Sequence, residues 1–233
     1  MRKRYRNMDE VTMVRGFSDL RKWQKERAAK KKDLSYVVPQ AERAISKMLD
    51  AAKRGPTITW VGHATFVIHL NGQTIVTDPV WANYMGVQKR LAPPGIPIQA
   101  MPQVDTVLLS HSHYDHLHIT TLRKLSGERR LLVPAGLKGM LQRKRFSHVQ
   151  EFTWWEETNI SGLHFTFVPA QHWTRRKLWD TNASHWGGWV IHPANDASPV
   201  VYFAGDSGYF RGFGEIGQRF KPEYVLMPIG AYE

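Results

Sequence analysis

The sequence predicts a layered α/β domain behind a basic helical arm, and three observations carry that prediction. From Thr57 onward, short runs of β-branched and aromatic residues are interspersed with segments rich in helix formers. Asn71-Gly72 separates two of the strand-like runs, and that dipeptide suits the left-handed turn of a hairpin. "VDTVLLS" is a continuous apolar run of the kind found in strands buried on both faces. Composition agrees: 233 residues, 42% hydrophobic and nine tryptophans are enough for a packed core. There is no cysteine, which excludes a disulfide framework and any thiolate metal site. A metal here must be held by His, Asp and Glu.

Residues 1–56 form the arm. They carry 16 Lys/Arg against 7 Asp/Glu, whereas residues 57–233 carry 16 against 13, so most of the net charge of +12 lies at the start of the chain. "SDLRKWQKERAAKKK" reads as a helix capped by Ser18, with Leu20, Trp23 and Arg27 on one face. "VPQAERAISKMLDAAKRG" reads as a second helix. Pro39 lies near its start and Gly55 at its end, and Ala41, Ala44, Ile45, Met48 and Leu49 form its apolar stripe. Gly55-Pro56 marks the boundary. The basic excess suits peripheral contact with an anionic membrane, and a solvated basic segment explains it equally well. No specific nucleic-acid partner is expected. The basic start is followed by no apolar leader, and no apolar run reaches about 18 residues. The expected location is cytoplasmic, at most peripheral to a membrane.

The second segment, 57–233, begins with three strand candidates in "TITWVGHATFVIHLNGQTIVTDP", followed by the buried strand "VDTVLLS". "ITTLRKLSG" reads as a helix, "RLLVP" as a strand and "GLKGMLQRKR" as a helix. "HVQEFT", "LHFTFVPA", "GGWVIHP" and "PVVYFAGD" are further strands; "GEIGQRF" is a helix and "YVLMPIG" a last strand.

Chemistry concentrates in "LLSHSHYDHLHIT". Its residues emerge from the C-terminal end of a buried strand, where α/β proteins place their sites. In an extended segment residues i and i+2 point the same way, so His111 and His113 face one metal together. Asp115 and His116 follow a turn and face a second metal. Imidazole and carboxylate ligands so arranged suit a two-metal hydrolytic centre. His118 falls outside the pattern and belongs to the first turn of the next helix. Two further strands end in ligand-capable residues: His172 in "FTFVPAQHW" and Asp206 in "VVYFAGDSGY".

"SHSHYDHL", "PAQHW" and "FAGDSGY" together resemble the metallo-β-lactamase superfamily. "GHATFVI", "TDPVW", "HWTRR", "GGWVI" and "PIGAYE" narrow the likeness to the branch of N-acylphosphatidylethanolamine-hydrolysing phospholipase D and its bacterial relatives. The resemblance spans nearly all of 57–233. It implies a four-layer αββα sandwich with the site at one edge. It also implies that His111, His113 and His172 hold the first metal, Asp115 and His116 the second, and that Asp206 bridges them. Zinc is the usual metal of the family, with manganese or iron as alternatives. In the family the chain continues past "GAYE" and supplies a last histidine to the second metal. The expectation here is therefore a second half incomplete at its C-terminus and a second site one ligand short.

The implied reaction is phosphodiester hydrolysis of N-acylphosphatidylethanolamine-like lipids by a metal-bridging hydroxide, with Asp115 and His116 as its catalytic residues. A lactonase or nuclease of the same superfamily, or a catalytically impaired metal-binding fragment, remain as alternatives, because hydroxide attack serves C–O and P–O substrates alike. Trp173, Arg175, Arg176 and Trp179 follow His172 and offer an apolar wall with guanidiniums suited to a phospholipid. His63 and Asp78 are expected behind the ligands, orienting them, or as ordinary turn residues. Trp154, Trp155, Trp186 and Trp189 are expected to pack.

Overall fold

A computed structural model describes residues 4–11, 21, 22, 25, 26, 29, 33, 35–85, 88–194 and 198–230. Ser18, Leu20, Trp23 and Arg27, on which the first expected helix rests, lie outside the described residues, as do residues 231–233. The second helix, α1 (Ala44–Ala52), starts later than Pro39 suggests, after Arg43 in a left-handed conformation. Its stripe is narrower than expected. Met48 is buried and packs with Val61, with Ala44 alongside, while Ile45 and Leu49 are 36% and 38% exposed and Ala41 is exposed. One turn of α1 faces the sheet, and among the described residues the second apolar row is left largely uncovered.

The first sheet is built from β1 (Thr57–Gly62), β2 (Thr65–Leu70), β3 (Gln73–Thr77), β6 (Thr106–Leu108), β7 (Arg130–Pro134) and β8 (Val149–Phe152), in the order β1-β2-β3-β6-β7-β8. Asn71 and Gly72 both have positive φ, as the β2–β3 hairpin requires. From β3 to β8 the strands are parallel, so Asp78 after β3 and His111 after β6 leave at the same end. A two-strand ribbon, β4 (Tyr84–Met85) and β5 (Gln88–Lys89), lies in the long β3–β6 connection and was not expected.

The second sheet orders β13 (Tyr224–Leu226), β12 (Val201–Phe203), β11 (Gly188–Pro193), β10 (Leu163–Val168) and β9 (Glu157–Ile160). The strand β9, "ETNI", was also missed. It is a polar edge strand, and its one signal is the Ser161-Gly162 turn, with φ of 52° and 79°.

Leu70, Ile75, Leu108 and Leu132 from the first sheet meet Phe165, Phe167, Trp189 and Phe203 from the second in the central core. The other face of the first sheet packs Val76, Val107 and Val133 against α1, α2 (Ile119–Lys124) and α3 (Lys138–Arg143), through Met48, Leu122 and Leu141. The outer face of the second sheet packs Val168, Val190 and Tyr202 against Ile216 of α4 (Gly212–Phe220). The layers are therefore α, β, β, α. Strands such as β6 are buried on both faces, which is why their sequence is continuously apolar. Trp186 and Trp189 are buried, as expected. Among the described residues no helix is long and apolar enough to cross a membrane.

Two contacts fix the sheets against each other at the site end. Trp189 Nε1 donates to the Leu109 carbonyl at 2.9 Å, and Gly187 N to the Ser110 carbonyl at 3.0 Å. Gly205, at φ 63°, lies so close that a Cβ on it would stand 2.5 Å from Ser110 Cβ. Only glycine permits that approach.

Candidate metal centre

His111 and His113 leave β6, His172 follows β10 and Asp206 follows β12, and the fold carries all four to one point. His111 Nε2 lies 2.9 Å from His113 Nδ1, and His172 Nε2 lies 3.2 Å from that same nitrogen. Asp206 Oδ2 is 3.9 Å from His172 Nε2 and 3.3 Å from His116 Nε2, so it stands between the two ligand groups. His116 Nε2 is 3.8 Å from Asp115 Oδ2. Every ligand-class residue named from the sequence is thus brought together.

His63 joins them. Its Nε2 lies 3.2 Å from His116 Nε2 and 3.4 Å from Asp115 Oδ2. It sits in the β1–β2 turn at φ 52°, and its carbonyl accepts from Trp60 Nε1 at 2.9 Å. His63, Asp115 and His116 each offer a ligand atom, all within 4.8 Å of one another; the same holds for His111, His113 and His172. His63 therefore lies among the ligand-capable atoms rather than behind them.

Asp78 does lie behind them. Fully buried, it accepts from Ser110 N at 2.7 Å, from Ser110 Oγ at 2.5 Å and from His116 Nδ1 at 2.7 Å. Burial raises the Asp78 carboxyl above its ordinary value, and the three donors together with the charge of His116 oppose that rise. Donation from Nδ1 turns Nε2 of His116 toward Asp206 and Asp115, where it keeps a proton in the metal-free protein that a bound cation would displace. Ser110 Oγ spends its proton on Asp78, so it accepts from His111 Nδ1 at 2.9 Å, which leaves His111 Nε2 bare. Ser110 was not singled out in the sequence, since a serine before a histidine carries no signal without the fold.

The site fits a metal by its own chemistry. His113 Nδ1 faces two imidazole nitrogens, at least one of them without a proton, and His113 Nε2 is buried with no hydrogen-bond partner among the described residues. One proton on His113 Nδ1 can serve only one of these two contacts well, and a cation would satisfy the gathered lone pairs together. Electrostatics agree. Burial pushes the His113 imidazole down to about 4 and that of His172 to about 3, and burial with neighbouring imidazoles holds His111 well below its ordinary range. All three are neutral lone-pair donors at pH 7. Burial opposes the charge on Asp115, but the His63 hydrogen bond and His116 outweigh it and bring the carboxyl down to about 2. Asp206 stays ionised for a similar reason: His116 and His172 outweigh its burial. His116 is raised well above its ordinary value, because Asp206 and Asp78 together overcome its burial.

Other expected residues are placed as follows. His118 is one position earlier than expected: it caps α2, accepting from Thr121 N at 3.2 Å. Arg176 Nη1 donates to the Ser112 and Leu117 carbonyls at 2.6 and 3.0 Å, and its guanidinium lies over the Tyr114 ring. It braces the metal-ligand loop from behind. Trp173 meets the His113 ring edge-to-face at 4.8 Å, and the Arg175 guanidinium lies over the Trp173 ring at 5.4 Å from its centroid. Leu178 and Trp179 project outward, 88% and 65% exposed.

Part of the arm reaches the site. Asn7 Oδ1 accepts from His172 N at 3.0 Å and from Trp186 Nε1 at 3.1 Å. Tyr5 stacks on His185 at 4.3 Å, and Arg4 donates to the Trp179 carbonyl at 2.9 Å. Nothing in "YRN" announces this role.

The family described as "Beta-lactamase superfamily domain" matches residues 73–233. An uncharacterised protein of Mycobacterium tuberculosis is 36% identical over 186 residues, covering 75% of this chain and 49% of that protein. N-acyl-phosphatidylethanolamine-hydrolyzing phospholipase D 1 of Caenorhabditis elegans is 33% identical over 201 residues, covering 78% and 56%. The chain thus spans about half the length of the curated relatives it matches. Among solved structures, a metallo hydrolase from Ignicoccus hospitalis, Igni18, superposes with a TM-score of 0.58 at 22% identity, covering 76% of this chain and 72% of that one. That likeness is one of fold.

Proposed function

The chain belongs to the β-lactamase superfamily, and from that premise we propose that it is a metal-dependent hydrolase, zinc-bound, that cleaves the phosphodiester of N-acylphosphatidylethanolamine-like lipids. The observation that carries the reading is the convergence of His111, His113, His172 and Asp206 on one side and Asp115, His116 and His63 on the other. His111, His113 and His172 would hold the first metal, Asp115 and His116 the second, with Asp206 between. When bound, such metals acidify a water to make the nucleophile and neutralise charge on the phosphoryl oxygens. The chain's own residues do the rest. Asp78 takes the Nδ1 proton of His116 in a hydrogen bond and so aims its Nε2 at the site, Ser110 fixes the tautomer of His111, and Arg176 holds the loop that carries both. Asp115, half-exposed beside His63, is placed to accept or return a proton at the open side of the site.

The lipid class is supported by the rim and by the name of the nematode relative. Leu178 and Trp179 stand exposed beside Arg175 and Lys177, a mixture suited to acyl chains and phosphate at an anionic membrane surface. This loop, with the basic arm, forms the proposed peripheral membrane contact. The test is a parallel assay of the metal-loaded protein on N-acylphosphatidylethanolamine, a lactone and a structured RNA. Release of phosphatidic acid is expected; cleavage of the RNA or lactone alone would overturn the lipid reading.

A further inference from the structure

Among the described residues, four groups of His, Asp and Glu bring ligand atoms within 4.8 Å of one another. Three belong to the centre above. The fourth, Glu157, His164 and His192, lies elsewhere, on the second sheet. His164 and His192 are direct cross-strand partners on β10 and β11, and Glu157 comes from the neighbouring β9. Their side chains point away from the central core, since Leu163 and Phe165, which flank His164, fill it. His164 stands near the start of β10, about 13 Å before Val168 at ~3.3 Å per residue, and His172 lies further on. The cluster therefore occupies the far end of the sandwich.

Its internal spacing matches that of the main centre. Glu157 Oε1 is 3.9 Å from His164 Nδ1, the same as Asp206 Oδ2 from His172 Nε2. The histidine rings stack at 4.9 Å, 11° from parallel. One ring nitrogen has no explanation in the fold: His192 Nε2 is buried without a hydrogen-bond partner among the described residues. Buried polar atoms are rarely left unpaired, and a bound ion is one of the few reasons they are.

We propose that Glu157, His164 and His192 form a separate divalent transition-metal site, of the zinc, nickel or copper class, at the end of the sandwich opposite the hydrolytic centre. Two imidazoles and a carboxylate are a ligand set for such ions and not for magnesium or calcium. Asn159 Nδ2 engages His164 Nε2 at 3.0 Å and Thr166 Oγ1 donates to Glu157 Oε2 at 3.3 Å, which leaves His164 Nδ1 and Glu157 Oε1 as the atoms that face the site. The site ties β9, the polar edge strand, to β10 and β11.

The test is metal stoichiometry on the full chain, stripped with a chelator and dialysed against zinc. His164→Ala/His192→Ala is expected to bind one equivalent fewer than the parent, with the loss in the weakest class of sites. His113→Ala/His172→Ala is expected to keep that weak equivalent while losing metal from the main centre, so the two sites fail separately. Copper(II) added to the His113→Ala/His172→Ala protein should show nitrogen hyperfine structure, and Glu157→Gln should weaken its binding about tenfold. Unchanged stoichiometry in a folded His164→Ala/His192→Ala variant overturns the site. If that variant does not fold, absence of the copper signal from the His113→Ala/His172→Ala protein overturns it instead.

Discussion

The two ligand groups of the main centre are built from opposite materials. The first, His111, His113 and His172, is three imidazoles pressed together out of solvent, each uncharged at neutral pH. The second, His63, Asp115 and His116, mixes one buried imidazole with a half-exposed histidine and a carboxylate. Asp78 backs it with a further negative charge. The first group offers a metal neutral imidazoles, and only tautomer-dependent contacts between their nitrogens hold the three rings to one another without one. The second is a network of charges that already satisfies itself. Metal affinity should therefore rest on the first group, and proton traffic on the second.

The sharpest way to break this asymmetry is His113→Ala. It removes the nitrogen on which the other two converge. Metal retention at the first group should fall by more than the ~100-fold typical of losing an outer partner, read by chelator competition. Retention at the parental level would refute the division. Asp78→Ala comes next. It strips His116 and Ser110 of their common acceptor, so the second metal should weaken about 10- to 100-fold. Denaturant melts should show a stability loss of about 3–5 kcal/mol, as for a broken buried ion pair.

Acidity separates the groups by sign. His113 and His172 titrate below the ordinary 6.5 when folded, so the unfolded chain binds protons that the fold refuses. Their contribution is full above about pH 6.5 and is lost as pH falls toward about 4 and 3. His116 is raised, so its contribution is full below that ordinary value and is lost as pH rises through its folded one. Urea melts of the metal-free protein should thus weaken on acidification in a way that His113→Gln reduces, and on alkalinisation in a way that His116→Gln reduces. The smallest effect is expected from His63→Ala. The residue is partly solvent-exposed, so stability should change by less than about 0.5 kcal/mol, while cobalt at the second group should bind about tenfold more weakly with the first group's spectrum unaltered. An equal loss at both groups would merge them into one.

How much of this was legible in the sequence follows from what each element depends on. The strands, the hairpin turn and the candidate ligands His111, His113, Asp115, His116, His172 and Asp206 each carry a local signature: an apolar run, Asn-Gly, or a ligand-capable residue just past a strand. The roles of Ser110, Arg176 and Asn7 depend on partners 32 to 165 residues away, and no local pattern encodes those. His63 was visible but read as support, because only the bend at φ 52° turns its ring among the ligands. Ile45 and Leu49 misled because helical periodicity reports apolar spacing and not whether a neighbour covers it. The edge strand β9 escaped because edges need no apolar face.

The contact at Gly205 has a consequence for how such a molecule can vary. His111 and His172 stand on different sheets, so the distance between them could have depended on the loops. Here it is set by the backbone of Gly205 resting on the side chain of Ser110, with a single hydrogen atom as the spacer. Loops hung outside that seam, such as the one bearing Leu178 and Trp179, can lengthen, shorten or change character without altering the gap between those two histidines. The machine tool has a fixed vice and exchangeable jaws, and a lineage can explore new substrates by rebuilding the rim while the seam stays closed.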